Sequence, residues 1–382
     1  MSWRKEKLSN ICHMKTGKLD SNAAVPDGEF PFFTCAQETY RINIAAYDTE
    51  AVLLGGNNAA GIFPLKYYNG PFNAYQRTYI LESLDSSKLS TRFLYYALKP
   101  ALSLFQSASI GAATQYLTKP ILENFQISLP SIESQNKIVS ILSVYDDLIE
   151  NNRRRIQLLE EAARLLYQEW FVRLRFPGHE HTKIVDGVPE GWIKGIISDF
   201  YDTTSGGTPS RKNPDYYTGD INWVKTQELI GGYIFETSEK ITQIAISKSA
   251  AKILPKKTLL VAMYGATIGE IGILAEPAAC NQACCAIIPK RDLSNEIFAY
   301  LFFKDNKLRL KSLSQGAAQN NVNQQVIREY PMILPSKNVM FQFLTYLNPI
   351  MDELKNLSLT NSNLVKARDL LLPRLMNGVI PV

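Results

Sequence analysis

The sequence predicts an α+β protein: two pseudo-symmetric mixed α/β globules separated by two long antiparallel helices that form a coiled coil. Three observations predict it. The chain repeats itself once, each copy opens on short apolar runs broken by Gly, Pro, Asn and Asp, and each copy closes on a heptad seam.

The repeat comes first. Thr16-Gly17 follows Trp3 as Ser205-Gly206 follows Trp192, at an offset of 189. Further on the offset is 205: Phe93-Leu94-Tyr95 matches Phe298-Ala299-Tyr300, Gly111-Ala112-Ala113 matches Gly316-Ala317-Ala318, and Leu129-Pro130-Ser131 matches Leu334-Pro335-Ser336. The two offsets differ by 16 residues, so the second copy carries a net insertion of that size. Two copies of about 180 residues are too few and too long for a solenoid.

Within each globule, runs such as Ala51-Val52-Leu53-Leu54, Gln76 to Leu81 and Thr258 to Val261 read as strands. Helices are expected around Thr91 to Leu98 and around Asn295 to Phe303. Ser131 can then cap a long helix with Glu133 in its first turn. Its seam is Ile138, Leu142, Tyr145, Ile149, Asn152, Ile156, Leu159, Ala163, Leu166 and Trp170, in alternating steps of 4 and 3. That span is about 50 Å of helix. The second copy repeats the register with Phe343, Leu347, Ile350, Leu354, Leu357, Asn361, Leu364, Arg368 and Leu371. Asn361 and Arg368 weaken this seam, and Pro349 is expected to force a kink or a fresh helix start. Asn at a seam position costs stability but can fix register and partner. Related helices about a two-fold axis run antiparallel, which would hold the globules at opposite ends of the pair. The resulting division is 1–130, first globule; 131–175, first long helix; 176–335, connector and second globule; 336–382, second long helix.

Composition excludes several classes. The chain is 46% apolar and 20% charged, an ordinary globular make-up. It has no run of 18 apolar residues and no apolar leader, so neither a membrane span nor a secretion signal is expected. Five unevenly spaced cysteines point to a reducing, cytoplasmic location. The net charge of +5 permits a local basic face without demanding one.

Catalytic parts are missing. Asn213-Pro214-Asp215-Tyr216 lacks the second Pro of an adenine methyltransferase loop and reads as a turn. Leu54-Gly55-Gly56-Asn57-Asn58-Ala59-Ala60-Gly61 does not fit a dinucleotide fingerprint and reads as a flexible loop. No phosphate-binding Gly-x-x-x-x-Gly-Lys-Ser/Thr string exists, and Asp215, Asp220 and Lys225 are badly spaced for a nuclease. Cys280, Cys284 and Cys285 have no paired Cys-x-x-Cys elsewhere, so no metal site is expected. No catalytic residue is assigned. What remains is a duplicated binder with Arg, Lys, Asn, Gln and Thr on its loops, the side chains that read phosphates and base edges. Half-sites one turn of duplex apart lie about 34–36 Å from each other. The polar segments Gly111 to Tyr116 and Gly316 to Gln325 recur at equivalent places.

These features resemble the specificity subunit of type I restriction-modification enzymes, over essentially the whole chain. Leu129-Pro130-Ser131-Ile132-Glu133-Ser134-Gln135 opens the first long helix, and Leu372-Pro373-Arg374-Leu375-Met376-Asn377-Gly378 closes the chain. Val188-Pro189-Glu190-Gly191-Trp192, Ser205-Gly206-Gly207-Thr208-Pro209 and Tyr264-Gly265-Ala266-Thr267-Ile268-Gly269 mark the second globule. The first globule departs from that pattern, with Thr16-Gly17-Lys18-Leu19 and Asn58-Ala59-Ala60-Gly61-Ile62. The resemblance implies two target recognition domains, each binding one half of a bipartite double-stranded DNA site. The two helices would set the spacer and dock two methyltransferase subunits, with restriction subunits joining them. S-adenosylmethionine, ATP and magnesium would belong to those partners, and no membrane is involved. Candidate DNA-binding residues are Lys18, Gln37, Asn57, Asn58, Gln76, Arg77, Gln115 and Tyr116 in the first domain. In the second they are Thr208, Arg211, Lys225, Gln227, Tyr264, Thr267, Gln282, Gln319 and Asn320. The competing readings are a self-contained DNA methyltransferase or nuclease, and a protein-binding adaptor.

Overall fold

The computed structural model describes residues 3–59, 61–111, 113–290, 294–313 and 321–382. It divides into two compact units, Met1–Ile149 with Asn363–Val382, and Glu150–Ser362. In sequence a long helix lies between two sheet-rich domains. That helix spans Ile132–Tyr167 and a second spans Lys337–Met376, so each contributes a segment to each unit.

The first unit is built on a six-stranded sheet. Its strand order is Cys12–Thr16, Thr78–Ser83, Tyr47–Gly55, Leu65–Ala74, Phe30–Phe33 and Tyr40–Ile42. Helix Thr91–Leu98, capped by the Ser90 hydroxyl on the Phe93 amide, buries Phe93, Leu94 and Leu98. The second unit has a five-stranded sheet: Tyr201–Ser205, Cys284–Pro289, Leu259–Ala262, Ile271–Leu274 and Tyr233–Ile234. A separate three-stranded sheet joins Lys240–Ile241, Ile221–Val224 and Ala279–Cys280. The corresponding helix, Glu296–Asp305, is buried through eight consecutive residues from Glu296 to Phe303.

Strand pairing reproduces the duplication residue by residue. Arg4 faces Leu129 in one unit and Ile193 faces Leu334 in the other, which recovers both sequence offsets in one ladder. The insertion is spread out rather than placed at one point. The offset is 191 at Phe30 and Ile221, 199 at Ile42 and Ile241, 207 at Val52 and Leu259, and 206 at Leu81 and Ile287. The first unit runs Leu65–Ala74 as one strand through both parts of its sheet, whereas the second unit has Ile271–Leu274 and Ala279–Cys280 as separate strands and so has two sheets.

The connector is more ordered than a Pro/Gly-rich linker suggests. Ile184–Val185 and Val188–Pro189 form a hairpin through Asp186 and Gly187, with φ of 50° and 77°. Successive positive φ values give the twist that a two-residue hairpin turn needs.

Within each unit the two helices run antiparallel. In the first, Ile138 and Leu142 share a buried cluster with Leu372, Leu375 and Met376. In the second, Ala163 and Tyr167 pack in one cluster with Phe343, Leu347, Met351 and Leu354. The seam positions Ile149, Asn152 and Leu357 are buried, and Tyr145, Ile156, Leu159, Leu166, Ile350, Leu364 and Leu371 are half-buried. Two expectations need correction. The second helix runs unbroken through Pro349, whose exposed position leaves the Thr345 carbonyl on the exposed side of the helix, within reach of water. Arg368 is not a defect in the seam, because Asp146 receives its Nη1 at 2.6 Å. The first helix ends in a π-helical turn over Gln168–Val172 that buries Trp170.

Burial also tunes two lysines of the first unit. Lys99 is pushed down to about 8 by burial, although Asp146 opposes the shift, and Lys66 likewise falls to about 8. A lysine depressed on folding releases a proton that the unfolded chain still holds, so stability rises as pH climbs from about 8 toward the unfolded value of about 10.4. We expect urea midpoints to increase over that window, and the increase to shrink in Lys99→Met/Lys66→Met. Among the described residues, no helix is long and apolar enough to cross a membrane.

Candidate nucleic-acid interface

Four chain segments meet at one sheet edge in each unit, and the same backbone hydrogen bonds join them. The Gly17 amide donates to the Thr78 carbonyl at 3.2 Å, and the Gly206 amide to that of Cys284 at 3.4 Å. The Gly56 amide donates to Arg77, as the Met263 amide does to Ala283. The Leu117 amide donates to Gly56, as the Val322 amide does to Met263. The edge is therefore a conserved frame inside this one chain, and the side chains it presents differ between copies.

In the first unit the frame gathers most of the candidates. Asn57–Asn58 forms a short strand against Gln115–Tyr116, so these two residues of the stretch read as a flexible loop are paired backbone. Asn57 faces Tyr116 and Asn58 faces Gln115. The Arg77 guanidinium lies over the Tyr116 ring, 5.2 Å from its centre. The Gln76 amide donates to the Leu19 carbonyl, which sets Gln76 beside exposed Lys18. Gln37 is exposed on the loop that Cys35 ties to the Arg77 carbonyl. Asn57 Oδ1 is buried and accepts no hydrogen bond from the described residues, which leaves an acceptor at the edge open.

In the second unit Thr208 donates to Gln282, and Tyr264 faces Asn321 across an isolated bridge. The Thr267 hydroxyl donates to the Tyr264 carbonyl at 2.9 Å. Arg211 and Lys225 are brought together by a residue absent from the sequence-based set. Glu239 accepts two hydrogen bonds from Arg211, at 2.5 and 2.9 Å, and one from Lys225 at 2.8 Å. Arg211 and then Lys225 hold the Glu239 carboxyl down to about 2. Arg211 also stacks on Tyr217, its guanidinium 4.1 Å from the ring centre. Gln227 is exposed on the adjoining 3-10 turn Thr226–Glu228. Gln319 and Asn320 lie outside the described residues. Asn213 to Tyr216 is a turn capped by Asn213 on the Asp215 amide, as expected.

Superposing the offsets shows an exchange. Asn57 and Tyr264 hold one strand position, Tyr116 and Asn321 the opposite one. Each copy thus presents one tyrosine and one asparagine, on reversed strands. Asn321 was legible from Tyr116 plus the repeat offset, whereas Glu239 carried no signal. The chemistry on offer is aromatic stacking, amide recognition of base edges and cationic contact with phosphate. Among the described residues no cluster of His, Cys, Asp and Glu could hold a metal ion, and all five cysteines are unbridged.

The family model described as the type I restriction modification DNA specificity domain matches this chain twice, over residues 2–161 and 189–361. The chain belongs to that family. Its two matches start almost one repeat apart, as the duplicated edge requires. Relatives include the EcoDI specificity subunit of Escherichia coli, 36% identical over 168 residues, or 44% of this chain and 36% of that one. The HindI specificity subunit of Haemophilus influenzae is 27% identical over 69% of this chain and 71% of its own length. The chain thus spans about a third of the first relative it matches. The crystal structure of a type I S subunit from M. genitalium shares the fold at a TM-score of 0.63 and 17% identity, covering 98% of this chain and 96% of that one.

Proposed function

We propose that this member of the specificity family is a non-catalytic DNA-reading subunit, in which each sheet edge binds one half of a bipartite double-stranded site. One observation carries the reading: the two edges share a backbone frame but differ at aligned positions, Asn57 against Tyr264, Tyr116 against Asn321, Leu19 against Thr208 and Arg77 against Ala283. A common frame with different side chains is what reading two different half-sites needs. The long helices set the unread spacer and dock two methyltransferase subunits, which restriction subunits then join. Exposed Ile141, Val144, Leu148, Leu158 and Leu165 on the first helix support an apolar partner there. S-adenosylmethionine, ATP and magnesium are assigned to those partners.

The test is exchange of residues 1–130 for the same region of another family member, in complex with methyltransferase subunits, followed by mapping of methylated sites. One half of the recognised site should change and the other stay. Change in both halves, or in neither, would contradict the reading. Lengthening the helices should lengthen the spacer. The purified chain given S-adenosylmethionine, magnesium and DNA should neither methylate nor cut.

Glu239 supplies a sharper result. Glu239→Gln releases Arg211 and Lys225 from their shared carboxylate, so DNA affinity should rise about tenfold at low salt and the slope of log K against log salt should steepen by about one. A gel-shift titration at several salt concentrations measures both. Tyr264→Ala, by loss of one contact to a base edge, should weaken binding by about 1–3 kcal/mol.

A further inference from the structure

A duplicated helix can pair with its own copy as well as with its relative. We propose that two half-buried polar pairs, Asn152 with Asn361 and Asp146 with Arg368, admit only the unlike pairing and exclude like-with-like association of either half. Asn152 Nδ2 donates to Asn361 Oδ1 at 3.0 Å in the second unit. Arg368 donates to Asp146 at 2.6 Å in the first. The facing residue numbers total 513 and 514, so both units share one antiparallel register.

The repeat offset of 205 shows what self-pairing would do in that register. It equates Asn152 with Leu357, Asn361 with Ile156, Asp146 with Met351 and Arg368 with Ala163. Two first helices would set Asn152 against Ile156 and Asp146 against Ala163. Two second helices would set Asn361 against Leu357 and Arg368 against Met351. Each polar group would then face an apolar side chain without its partner. In the unlike pair the apolar remainder also matches, because Ala163 and Met351 are buried in one cluster, and the same register sets buried Leu357 opposite half-buried Ile156. Apart from the contact of Arg368 with Asp369 on its own helix, the polar residues on one helix are thus complementary to those on the other. Stranding one such group disfavours a pairing about tenfold, and each like pair strands them at several places.

The test uses the full chain cleaved once after folding, at a protease site placed between Asp186 and Gly187. That turn is exposed, and nothing lies within 4 Å of a side chain built at Gly187. The cleaved protein is incubated in sub-denaturing urea and its assemblies are counted by native mass spectrometry. Mixing with isotope-labelled protein reports that the pieces exchange. Wild type should yield unlike pairs with like pairs at least tenfold below binomial expectation. Asn152→Leu/Asn361→Ile/Asp146→Met/Arg368→Ala makes each seam self-compatible and should re-sort toward binomial proportions. Like pairs in wild type, or none in the fourfold variant, would overturn the proposal. Should that variant fail to fold, Asn152→Leu/Asn361→Ile leaves the Asp146 network intact and should still raise like pairs above wild type; no rise overturns the role of the asparagines.

Discussion

Gly206→Ala is expected to destabilise the second unit by about 3 kcal/mol or more, and Gly17→Ala to do the same to the first. A methyl group at Gly206 would sit 2.1 Å from the Cys280 carbonyl oxygen and 2.4 Å from that of Asn281. At Gly17 it would sit 2.0 Å from the Ala74 carbonyl oxygen and 2.5 Å from that of Tyr75. Those atoms are backbone in the turn leading into Thr78–Ser83 or Cys284–Pro289, so no rotamer change relieves the overlap. The strand turn must move, and with it Gln76 and Arg77, or Gln282. Urea unfolding should show one lowered transition in each variant, and half-site binding should fail only at the altered edge. Gly187→Ala is the control: it has open space around it and a φ of 77°, so it should cost only about 1 kcal/mol. Comparable losses in all three would mean that close backbone approach is not what selects glycine at the edges.

Much of this was legible in the sequence because a duplication doubles every signal. The paired offsets fall on the strands that close each unit, and the Thr16-Gly17 and Ser205-Gly206 matches turned out to mark close backbone contacts at the edges. The alternating 4 and 3 steps found both helices. What escaped has physical reasons. A heptad register lists one residue per turn and cannot show what lies opposite, so Arg368 read as a flaw although Asp146 meets it from outside the listed seam. Pro349 read as a break because a lost amide matters only where its partner carbonyl is buried, and burial is a tertiary fact. Glu239 lies 28 residues from Arg211, on a hairpin that the first copy lacks at that length, so neither spacing nor repetition pointed to it. The net insertion of 16 stands, but its distribution was not legible, because gains and losses along the chain partly cancel.

Asp146→Ala should be the most damaging change within the helix pair, costing about 3 kcal/mol in the first unit. Asp146 accepts the Tyr96 hydroxyl at 2.7 Å and Arg368 at 2.6 Å, and Lys99 Nζ lies 3.6 Å away. Burial alone would raise its pKa, but Lys99, Tyr96 and Arg368 outweigh burial and hold it below the ordinary carboxylate value. Without it, Lys99 would face Arg368 as a second cation with only 16% of each side chain exposed, and Asp369, which pairs with Arg368, would be the one carboxylate left to that arginine. Arg368→Ala should cost less, because Asp146 keeps Lys99 and Tyr96. Asp146→Met/Arg368→Ala recreates the Met351 and Ala163 arrangement of the other unit, so it should lose less than Asp146→Ala alone, by at least 1 kcal/mol in order of magnitude. The pH response separates charge from packing. With Asp146 gone, Lys99 sheds its proton at still lower pH, so the stability of Asp146→Ala should recover more than wild type as pH rises past about 8. A loss that stays constant across that range would assign the damage to the cavity and not to the stranded cations.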